Sequence, residues 1–329
     1  SCMPFLPLRP VPVADGAATL YQEWLSWLAE ELGRPDCDRN ELVRTVLTDI
    51  YFPELADRDT STLSRTTQVT LAQIDPRNVT LEPEYYQEID LEKYAPRKPL
   101  LWLWEMFDRS ALGENVELGI HFRRLLARHV FASCGKNFKA FTHVRVSVGY
   151  NLNVGDNVVI HRHVLLDDRG GIDIGNGSSV SDFANVYSHS HNIVDGRIVY
   201  LPKTVIGNGV RITYHATILA GTHIADDSMI GAGSMLTRST EPHWVYADEF
   251  AEYGGDGVGV AEPVGGILNL SVLREISTKA EAARADPLSE FYRPIISDVT
   301  LVQHHGVLTL SDLLRVFMAN ESLQTRPSL

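Results

Sequence analysis

Cysteine is scarce in this chain, and its few copies are widely spaced. The three cysteines among 329 residues are Cys2, Cys37 and Cys134. An odd and scattered set gives neither a disulfide framework nor a Cys-X-X-Cys metal or redox motif. We therefore expect a reducing, cytoplasmic compartment for this protein.

Basic residues and long apolar runs are also in short supply. With 29 Lys and Arg against 42 Asp and Glu, the formal net charge is -13. Nucleic-acid binding is not expected, because neutralising phosphates requires a basic face. No apolar run reaches the roughly 18 residues of a membrane span, and no basic segment precedes an apolar one as in a secretory signal. The aromatic segment 99–107 fits a buried helix better than an interfacial membrane helix.

What the chain has in quantity is a six-residue repeat of aliphatic side chains. The repeat slips by two positions after Leu166 and is interrupted again after Val186. Its positions are Val148, Val154, Ile160, Leu166, Ile174, Val180, Val186, Ile206, Ile212, Ile218, Ile224, Ile230 and Leu236. Gly, Ala or Ser often follows directly or four positions later.

A six-residue period fits neither an α-helix nor an amphipathic strand. It is typical of a solenoid whose coils have three flat faces, each formed by one hexapeptide, with the aliphatic residue inside. Successive coils hydrogen-bond to one another, so the interior becomes a continuous aliphatic stack. The sequence therefore predicts a mainly β protein with a parallel β-helix over residues 141–241.

The interruption after Val186 has its own composition. The next repeat position, Ile206, comes 20 residues later, and the polar stretch between them contains Asp195, Gly196 and Pro202. This pattern predicts a loop over residues 189–204 that is extruded from one corner of the solenoid. Irregular insertions in solenoids usually carry function.

The flanking regions lack the six-residue period. Residues 1–140 read as mostly helical, with helices over 17–32, 41–51, 100–107 and 118–131 and short strands within 66–86. Residues 242–329 read as a C-terminal extension, with a loop over 254–266 and helices over 270–285 and 310–320. We expect both flanks to cover the ends of the solenoid, which otherwise expose unpaired strand edges.

Three segments within residues 148–240 carry a resemblance to a known family. They are Ile174-Gly-Asn-Gly-Ser-Ser-Val180 continuing through Val186-Tyr-Ser-His-Ser-His191, Ile206-Gly-Asn-Gly-Val-Arg-Ile212, and Ile230-Gly-Ala-Gly-Ser-Met-Leu-Thr-Arg238. The chain resembles the hexapeptide-repeat acyltransferases, especially the maltose, galactoside and nodulation-factor sugar O-acetyltransferases. The resemblance implies a left-handed parallel β-helix, acetyl-CoA or another acyl-CoA as co-substrate without a metal, a small-molecule or oligosaccharide acceptor, and a homotrimer.

The same resemblance places the catalytic base at His191, at the mouth of the extruded loop. Acyl transfer to an alcohol needs a base near the hydroxyl, because a free alcohol is a poor nucleophile. A neutral imidazole, with a pKa near ~6.5, accepts a proton at neutral pH. Since the thioester is already activated, direct attack suffices. The alternative is that His191 is simply one of twelve histidines, placed on a solvated loop.

Three further residues are candidates for acceptor contacts. His189 shares a face with His191 if the strand is extended, because side chains alternate along a strand. Orientation of His191, contact with the acceptor and no role at all are open alternatives for it. The resemblance points to Asp168, in the acidic pair with Asp167, and Asn185 precedes the repeat position Val186. For Asp168 a turn carboxylate bonded to nearby backbone is an equal alternative, and Asn185 could equally cap a corner.

The resemblance also suggests a CoA site in the last coils of the repeat. Bare backbone at a Gly-Ala-Gly segment lets a pantetheine arm lie close, and an arginine makes charge-assisted bonds to nucleotide phosphates. The candidate CoA contacts are Tyr214, Gly231, Ala232, Gly233, Thr237 and Arg238.

Two other functions remain open from the sequence. A γ-carbonic-anhydrase-like zinc site is suggested by the pairs His161/His163 and His189/His191, since His-X-His puts two imidazoles on one face. The zinc ligands of that family have a different spacing, with two of them five residues apart. No two histidines in this chain are five residues apart. A non-catalytic solenoid scaffold is the other alternative.

Overall fold

The computed structural model describes residues 13–55 and 59–246, together with the backbone of the strand 268–269. The α-helices in this part of the chain are α1 Asp15–Gly33, α2 Arg39–Tyr51, α3 Arg65–Ala72, α4 Leu91–Tyr94, α5 Lys98–Asp108, α6 Ala111–Glu114 and α7 Val116–Val130. Short 3-10 turns lie at Pro53–Leu55, Thr60–Thr62, Pro76–Asn78 and Glu82–Tyr85. The loop and helices predicted beyond residue 246 lie outside the described residues.

The helices predicted near the N-terminus match α1, α2, α5 and α7 within a few residues, whereas the short strands predicted within 66–86 are wrong. That segment begins with α3 and continues in 3-10 turns. The Ser64 hydroxyl accepts a hydrogen bond from the Thr67 backbone N–H at 3.2 Å and caps α3. This local cap outweighs the weak β preference of the threonines.

Helix α5, which contains the aromatic segment, is packed inside the N-terminal region. Eight of its 11 residues are buried, and the ring of Phe107 stacks on that of Phe122 in α7 at 3.7 Å between centroids. Among the described residues, no helix combines the length and apolar character needed to cross a membrane.

A buried ion pair joins this helical region to the first coil of the solenoid. Arg123 in α7 and Asp108 at the end of α5 are 1% and 3% exposed, and their contact is supported by a second bond from the Arg123 Nε at 2.8 Å. Arg123 also donates to the Ala140 carbonyl at 3.2 Å, and the other Asp108 oxygen accepts from the His143 backbone N–H at 2.7 Å. The helical region is therefore fixed to the solenoid by polar as well as apolar contacts.

The solenoid consists of short strands separated by tight corners. They are β1 Ser133–Cys134, β2 Lys139–Ala140, β3 Arg145–Val146, β4 Leu152–Val154, β5 Val159–Ile160, β6 Leu165–Asp167, β7 Ile172–Ile174, β8 Ser179–Val180, β9 Asn185–Tyr187, β10 Ser190–His191, β11 Val199–Tyr200, β12 Thr204–Ile206, β13 Arg211–Ile212, β14 Thr217–Ile218, β15 His223–Ile224, β16 Met229–Ile230, β17 Met235–Leu236, β18 Trp244–Tyr246 and β19 Leu268–Asn269.

Three sheets form the faces of the solenoid. Sheet A has the order β1-β4-β7-β12-β15, sheet B the order β19-β18-β16-β13-β8-β5-β2, and sheet C the order β17-β14-β9-β6-β3. Neighbouring strands within each face are parallel, as in the pairing of Ile160 with Val180, except that β18 and β19 are antiparallel. The predicted left-handed parallel β-helix is confirmed.

Twelve of the thirteen repeat positions lie on strands and fill the buried interior, but Val148 does not. The interior residue of that coil is Val146, which pairs with Leu166. The two-residue slip therefore occurs after Val146 as well as after Leu166. Val148 is buried in the resulting turn, where its N–H donates to the Asp168 carboxylate at 2.8 Å.

The solenoid also begins earlier than the predicted residue 141 and ends later than 241. Its first coil starts at β1, where Cys134 and Ala140 take the interior positions. Neither is a branched aliphatic residue, so the repeat was not visible there. At the other end, β18 pairs with β16 and extends sheet B to Tyr246.

One corner of the solenoid carries a column of stacked rings. Successive pairs among His143, His163, Phe183 and His215 have ring centroids 4.8, 4.8 and 4.9 Å apart. This spacing equals the distance between neighbouring strands. Each coil therefore places its ring directly above the ring of the coil before it.

Candidate active site

The segment predicted as an extruded loop is a β-hairpin that leaves the solenoid after β9. Its strands β10 and β11 pair antiparallel, with His191 opposite Val199. The Asn192 side-chain oxygen accepts from the backbone N–H groups of Val194 and Asp195 at 2.8 and 3.0 Å. Such side-chain bonds to the following backbone favour a turn, so the polar composition of this segment orders the hairpin tip.

His191 lies on β10 with an exposed ring, and one of its ring nitrogens is held by the hairpin. Its Nδ1 is 3.0 Å from the Gly196 carbonyl oxygen. Because a carbonyl can only accept, Nδ1 is the nitrogen that carries a proton, and in the neutral ring Nε2 keeps its lone pair. This is the tautomer that a general base needs.

His189 provides a second imidazole next to the first. Its ring is perpendicular to that of His191, with 5.4 Å between centroids, and its Nδ1 is in close contact with the Asp167 carboxylate. Burial lowers the pKa of His189, and the negative charge of Asp167 opposes this effect. A neutral ring whose Nδ1 donates to Asp167 presents Nε2 as an acceptor.

Asp167, not Asp168, is the acidic residue at this site. Asp167 also bonds to the Arg169 Nε and the Ser147 hydroxyl, both at 3.2 Å. Asp168 is fully buried in the turn. Asp168 therefore does not reach the cavity, whereas Asp167, which follows the interior residue Leu166 and so points outward from β6, lines it.

Burial raises the pKa of Asp168 to about 7, against the lowering effect of the N–H of Val148. The folded protein therefore binds more protons than the unfolded chain between about pH 4 and pH 7, and the free energy of unfolding falls as the pH rises through this window. The fall is on the order of 4 kcal/mol and levels off above pH 7.

We expect Asp168→Asn to remove this loss, because the amide keeps an oxygen for the Val148 N–H and does not ionise. Urea denaturation at pH 4 to 8 checks it: the stability difference between the variant and the wild-type protein should shift in favour of the variant as the pH rises. Parallel profiles would show that this carboxyl does not titrate as described.

A cavity of about 650 Å³ lies beside His189, between the N-terminal region and the outer face of sheet C. The solenoid contributes to its lining Arg145, Val146, Ser147, Leu165, Asp167, Arg169, Tyr187 and His189. Tyr86, Tyr94, Trp102, Glu105 and Arg109 are among the residues that line it from the N-terminal region. No pattern in the amino-acid sequence predicted this half of the cavity.

Asn185 lies on the outer face of β9, the face that also carries Tyr187. Its side-chain amide nitrogen is 3.4 Å from the Phe183 carbonyl oxygen, and it is not among the residues that line the cavity. The structure therefore places Asn185 near the cavity, on the same sheet, but does not bring it to the two imidazoles.

The first group of predicted CoA contacts meets at the corner between sheets B and C. The Gly233 N–H donates to the Tyr214 carbonyl at 2.9 Å, so Tyr214 and the Gly231–Gly233 segment lie one coil apart. The Tyr214 residue is 51% exposed. The space beside the Gly233 Cα is open, with no atom within 4 Å of where a Cβ would lie, and Ala232 is exposed.

The second group, Thr237 and Arg238, directly follows β17 and so lies at the C-terminal ends of the sheet C strands, whereas the first group lies at their N-terminal ends. Both Thr237 and Arg238 are exposed. The hairpin with His191 also begins at the C-terminal ends of these strands, after β9, which is two strands away from β17. With neighbouring strands about 4.8 Å apart, the two positions are separated by about 10 Å along the solenoid axis.

The histidine pair His161 and His163 does not form a cluster of ligands. The His161 ring stacks on Phe141 at 5.0 Å, while the His163 ring belongs to the corner column. Within residues 13–55 and 59–246, no group of three or more His, Cys, Asp or Glu is placed to hold a metal ion.

Comparison with known proteins identifies relatives of the solenoid. No family model matches the chain. It is 30% identical over 130 residues to the galactoside O-acetyltransferase of Escherichia coli K12, a match that spans 38% of this chain and 64% of the relative. A solved maltose O-acetyltransferase from Clostridium difficile 630 is 27% identical, with a TM-score of 0.42, over 48% of this chain and 84% of that one.

The chain thus spans just under two thirds of the length of the Escherichia coli relative. A solved galactoside acetyltransferase in complex with coenzyme A is 25% identical, with a TM-score of 0.41, over 49% of this chain and 80% of that one. The name of the Escherichia coli relative agrees with the family suggested by the repeat motifs. The chain is related to the hexapeptide-repeat acyltransferases.

Proposed function

We propose that this protein is a CoA-dependent O-acyltransferase that transfers an acyl group, first of all acetyl, from acyl-CoA to a hydroxyl of a saccharide-type acceptor. The observation that carries the proposal is the hydrogen bond between His191 Nδ1 and the Gly196 carbonyl. It leaves Nε2 as a base on the ring next to His189, and His189 lines a cavity large enough for a small acceptor. The relative named galactoside O-acetyltransferase supports the reaction and the acceptor class.

In this mechanism the acceptor hydroxyl gives its proton to His191 Nε2 as its oxygen attacks the thioester carbonyl carbon. The carbon–sulfur bond then breaks, and the CoA thiolate takes the proton from the imidazolium. A backbone N–H or a polar side chain would stabilise the oxyanion that forms in between. His189, held by Asp167, orients the acceptor hydroxyl toward His191.

The acyl-CoA would lie along the end of sheet C that carries the predicted contacts. Tyr214 and the Gly231–Gly233 segment offer open backbone at the N-terminal ends of the sheet C strands. Arg238, at the C-terminal end of β17, supplies a guanidinium for the nucleotide phosphates. The homotrimer, with CoA clefts between subunits, and the cytoplasmic location are parts of the same proposal.

Thermal shift with two ligands separates the proposed function from its alternatives. Acetyl-CoA should raise the melting temperature, because a ligand that binds the native state stabilises it, and zinc should not. A shift with zinc alone would favour a metalloenzyme, and no shift with either ligand would favour a scaffold.

Release of the CoA thiol then identifies the reaction. Acetyl-CoA, succinyl-CoA and a longer acyl-CoA are each tested with maltose and methyl β-galactoside, and acceptor-dependent thiol release with formation of the sugar ester is the expected result. Thiol release that does not depend on any hydroxyl acceptor would contradict the proposal.

A further inference from the structure

The column of stacked rings at one corner of the solenoid stops one coil before the strands of sheet C do. Its last ring is His215, which stacks on Phe183 with the two ring planes 8° apart. In the next coil, Met235 pairs with Thr217. This register sets Gly233 directly above His215, at the position where a further ring would continue the column.

Gly233 has the backbone conformation of the ring-bearing positions but no side chain. Its φ is +74°, in the left-handed region that His163, Phe183 and His215 occupy with φ of 56°, 61° and 57°. Apart from its chain neighbours, no atom of the described residues lies within 4 Å of where a Cβ of Gly233 would lie. A slot one coil high is therefore open on the face of the His215 ring.

Tyr214 forms a side wall of this slot. Its ring is perpendicular to that of His215, with 4.1 Å between centroids, and its centroid lies 6.0 Å from that of Phe183. A ring on top of His215 would be about two strand spacings from Phe183, so the Tyr214 ring stands beside the column and leaves its end uncovered. Both Tyr214 and His215 are exposed, and the slot is accessible from solvent.

The geometry of the slot suits a flat aromatic ring. The rings already in the column are 4.8 to 4.9 Å apart, and the slot repeats that spacing once more. Aromatic rings attract one another in offset-stacked and edge-to-face arrangements. A planar ring in the slot makes both contacts, with its face on His215 and its edge toward Tyr214.

The position of the slot within the proposed CoA site identifies which part of an acyl-CoA would carry this ring. Gly233 belongs to the segment assigned to the pantetheine arm, at the N-terminal ends of the sheet C strands. Arg238, assigned to the nucleotide phosphates, follows β17 at the C-terminal ends. The adenine is bound to those phosphates and lies on their side, so the acyl end of the pantetheine arm is the end on the side of the slot.

Resting on the proposed function, we propose that the slot between His215 and Gly233 binds a planar aromatic acyl group and thereby selects an aroyl-CoA over acetyl-CoA. The reaction keeps its balance: the acceptor oxygen bonds to the aroyl carbonyl carbon, the carbon–sulfur bond breaks, and the CoA thiol takes the proton. The hairpin with His191 lies at the opposite ends of the strands, so the base that meets the aroyl group belongs to a neighbouring subunit of the proposed homotrimer.

Isothermal titration of the full chain tests the slot without turnover. The ligands are free CoA, acetyl-CoA, benzoyl-CoA and cyclohexanecarbonyl-CoA, whose acyl ring has the size of benzoyl but is neither flat nor aromatic. All four carry the same adenine, so ratios of their dissociation constants isolate the acyl group. We expect benzoyl-CoA to bind at least ~10-fold more tightly than acetyl-CoA and about threefold to tenfold more tightly than cyclohexanecarbonyl-CoA.

Variants of the column locate the preference. His215→Asn removes the floor of the slot and Gly233→Asn fills it, and asparagine tolerates the left-handed backbone at both positions. Each should reduce the preference for benzoyl-CoA over acetyl-CoA to about twofold or less. His143→Asn makes the same change at the far end of the column and should keep the full preference. His215→Phe should also keep it, because Phe183 shows that the column accepts a phenyl ring.

The proposal is overturned if benzoyl-CoA binds no more tightly than acetyl-CoA, if cyclohexanecarbonyl-CoA matches it, or if His215→Asn keeps the preference. Equal weakening of all four ligands in His215→Asn would place the adenine in the slot and overturn it as well. Acetyl-CoA that still binds and is still used in these cases leaves the transferase intact. Conversely, a benzoyl preference that depends on His215, without acyl transfer to any hydroxyl, would support the slot and reject the proposed function.

Discussion

Replacement of His191 by alanine should lower kcat/KM for acyl transfer at least ~100-fold, the loss expected when a general base is removed. The Nε2 of this residue is the proposed proton acceptor, and the hydrogen bond from Nδ1 to Gly196 only holds the ring. Because the side chain is exposed, its removal leaves no buried cavity, and the variant should fold. Release of CoA thiol in the presence of the acceptor gives the rate.

The neighbouring imidazole supplies the control. His189→Ala should raise the acceptor KM more than it lowers kcat, because His189 is assigned to orient the hydroxyl and not to accept its proton. Both variants should keep the thermal shift with acetyl-CoA. Near-normal turnover in His191→Ala, combined with loss of turnover in His189→Ala, would transfer the role of base to His189.

Asp108→Ala should destabilise the protein by about 3–5 kcal/mol, the cost of leaving one partner of a buried ion pair without the other. Arg123 would stay charged at 1% exposure, and the His143 backbone N–H would lose its acceptor. Burial raises the pKa of Asp108, and the Arg123 charge opposes this. The carboxylate is thus costly to bury but more costly to remove.

Urea denaturation measures the expected loss. Asp195→Ala is the matched control, because its pair with Arg197 lies on the surface of the hairpin, with side chains 34% and 90% exposed. Surface pairs contribute little, so this variant should unfold at the wild-type urea concentration. Equal midpoints for Asp108→Ala and the wild-type protein would contradict the role given to the buried pair in joining the helical region to the solenoid.

The repeat predicted the solenoid because its narrow interior accepts one side chain from each face of each coil. Positions such as Ile160 and Ile212 therefore have to be aliphatic, and their spacing is visible in the sequence. Where the interior holds Cys134 or Ala140 the pattern disappears, so the first coil was missed. Val148 was mistaken for an interior residue because the turn that contains it is also buried.

The site was predictable only where it depends on the local chain. The hairpin follows from an interruption of the repeat, which the sequence displays directly, whereas the choice of His191 within it came from the family resemblance. The cavity does not, because its wall is made when α5 and the preceding turns pack on sheet C, and no periodicity records that contact. The choice between Asp167 and Asp168 depended on which of two adjacent residues faces outward, and the register slip at this corner concealed it.

The central claim is that His191 lies beside the thioester of a bound acyl-CoA. A crystal structure of the full chain with CoA measures this directly, through the distance between the CoA sulfur and His191 Nε2. The account predicts a separation of about 6 Å or less, which leaves room for one acceptor oxygen between base and carbonyl. A CoA sulfur bound far from this ring, with no path for an acceptor hydroxyl between them, would contradict the claim.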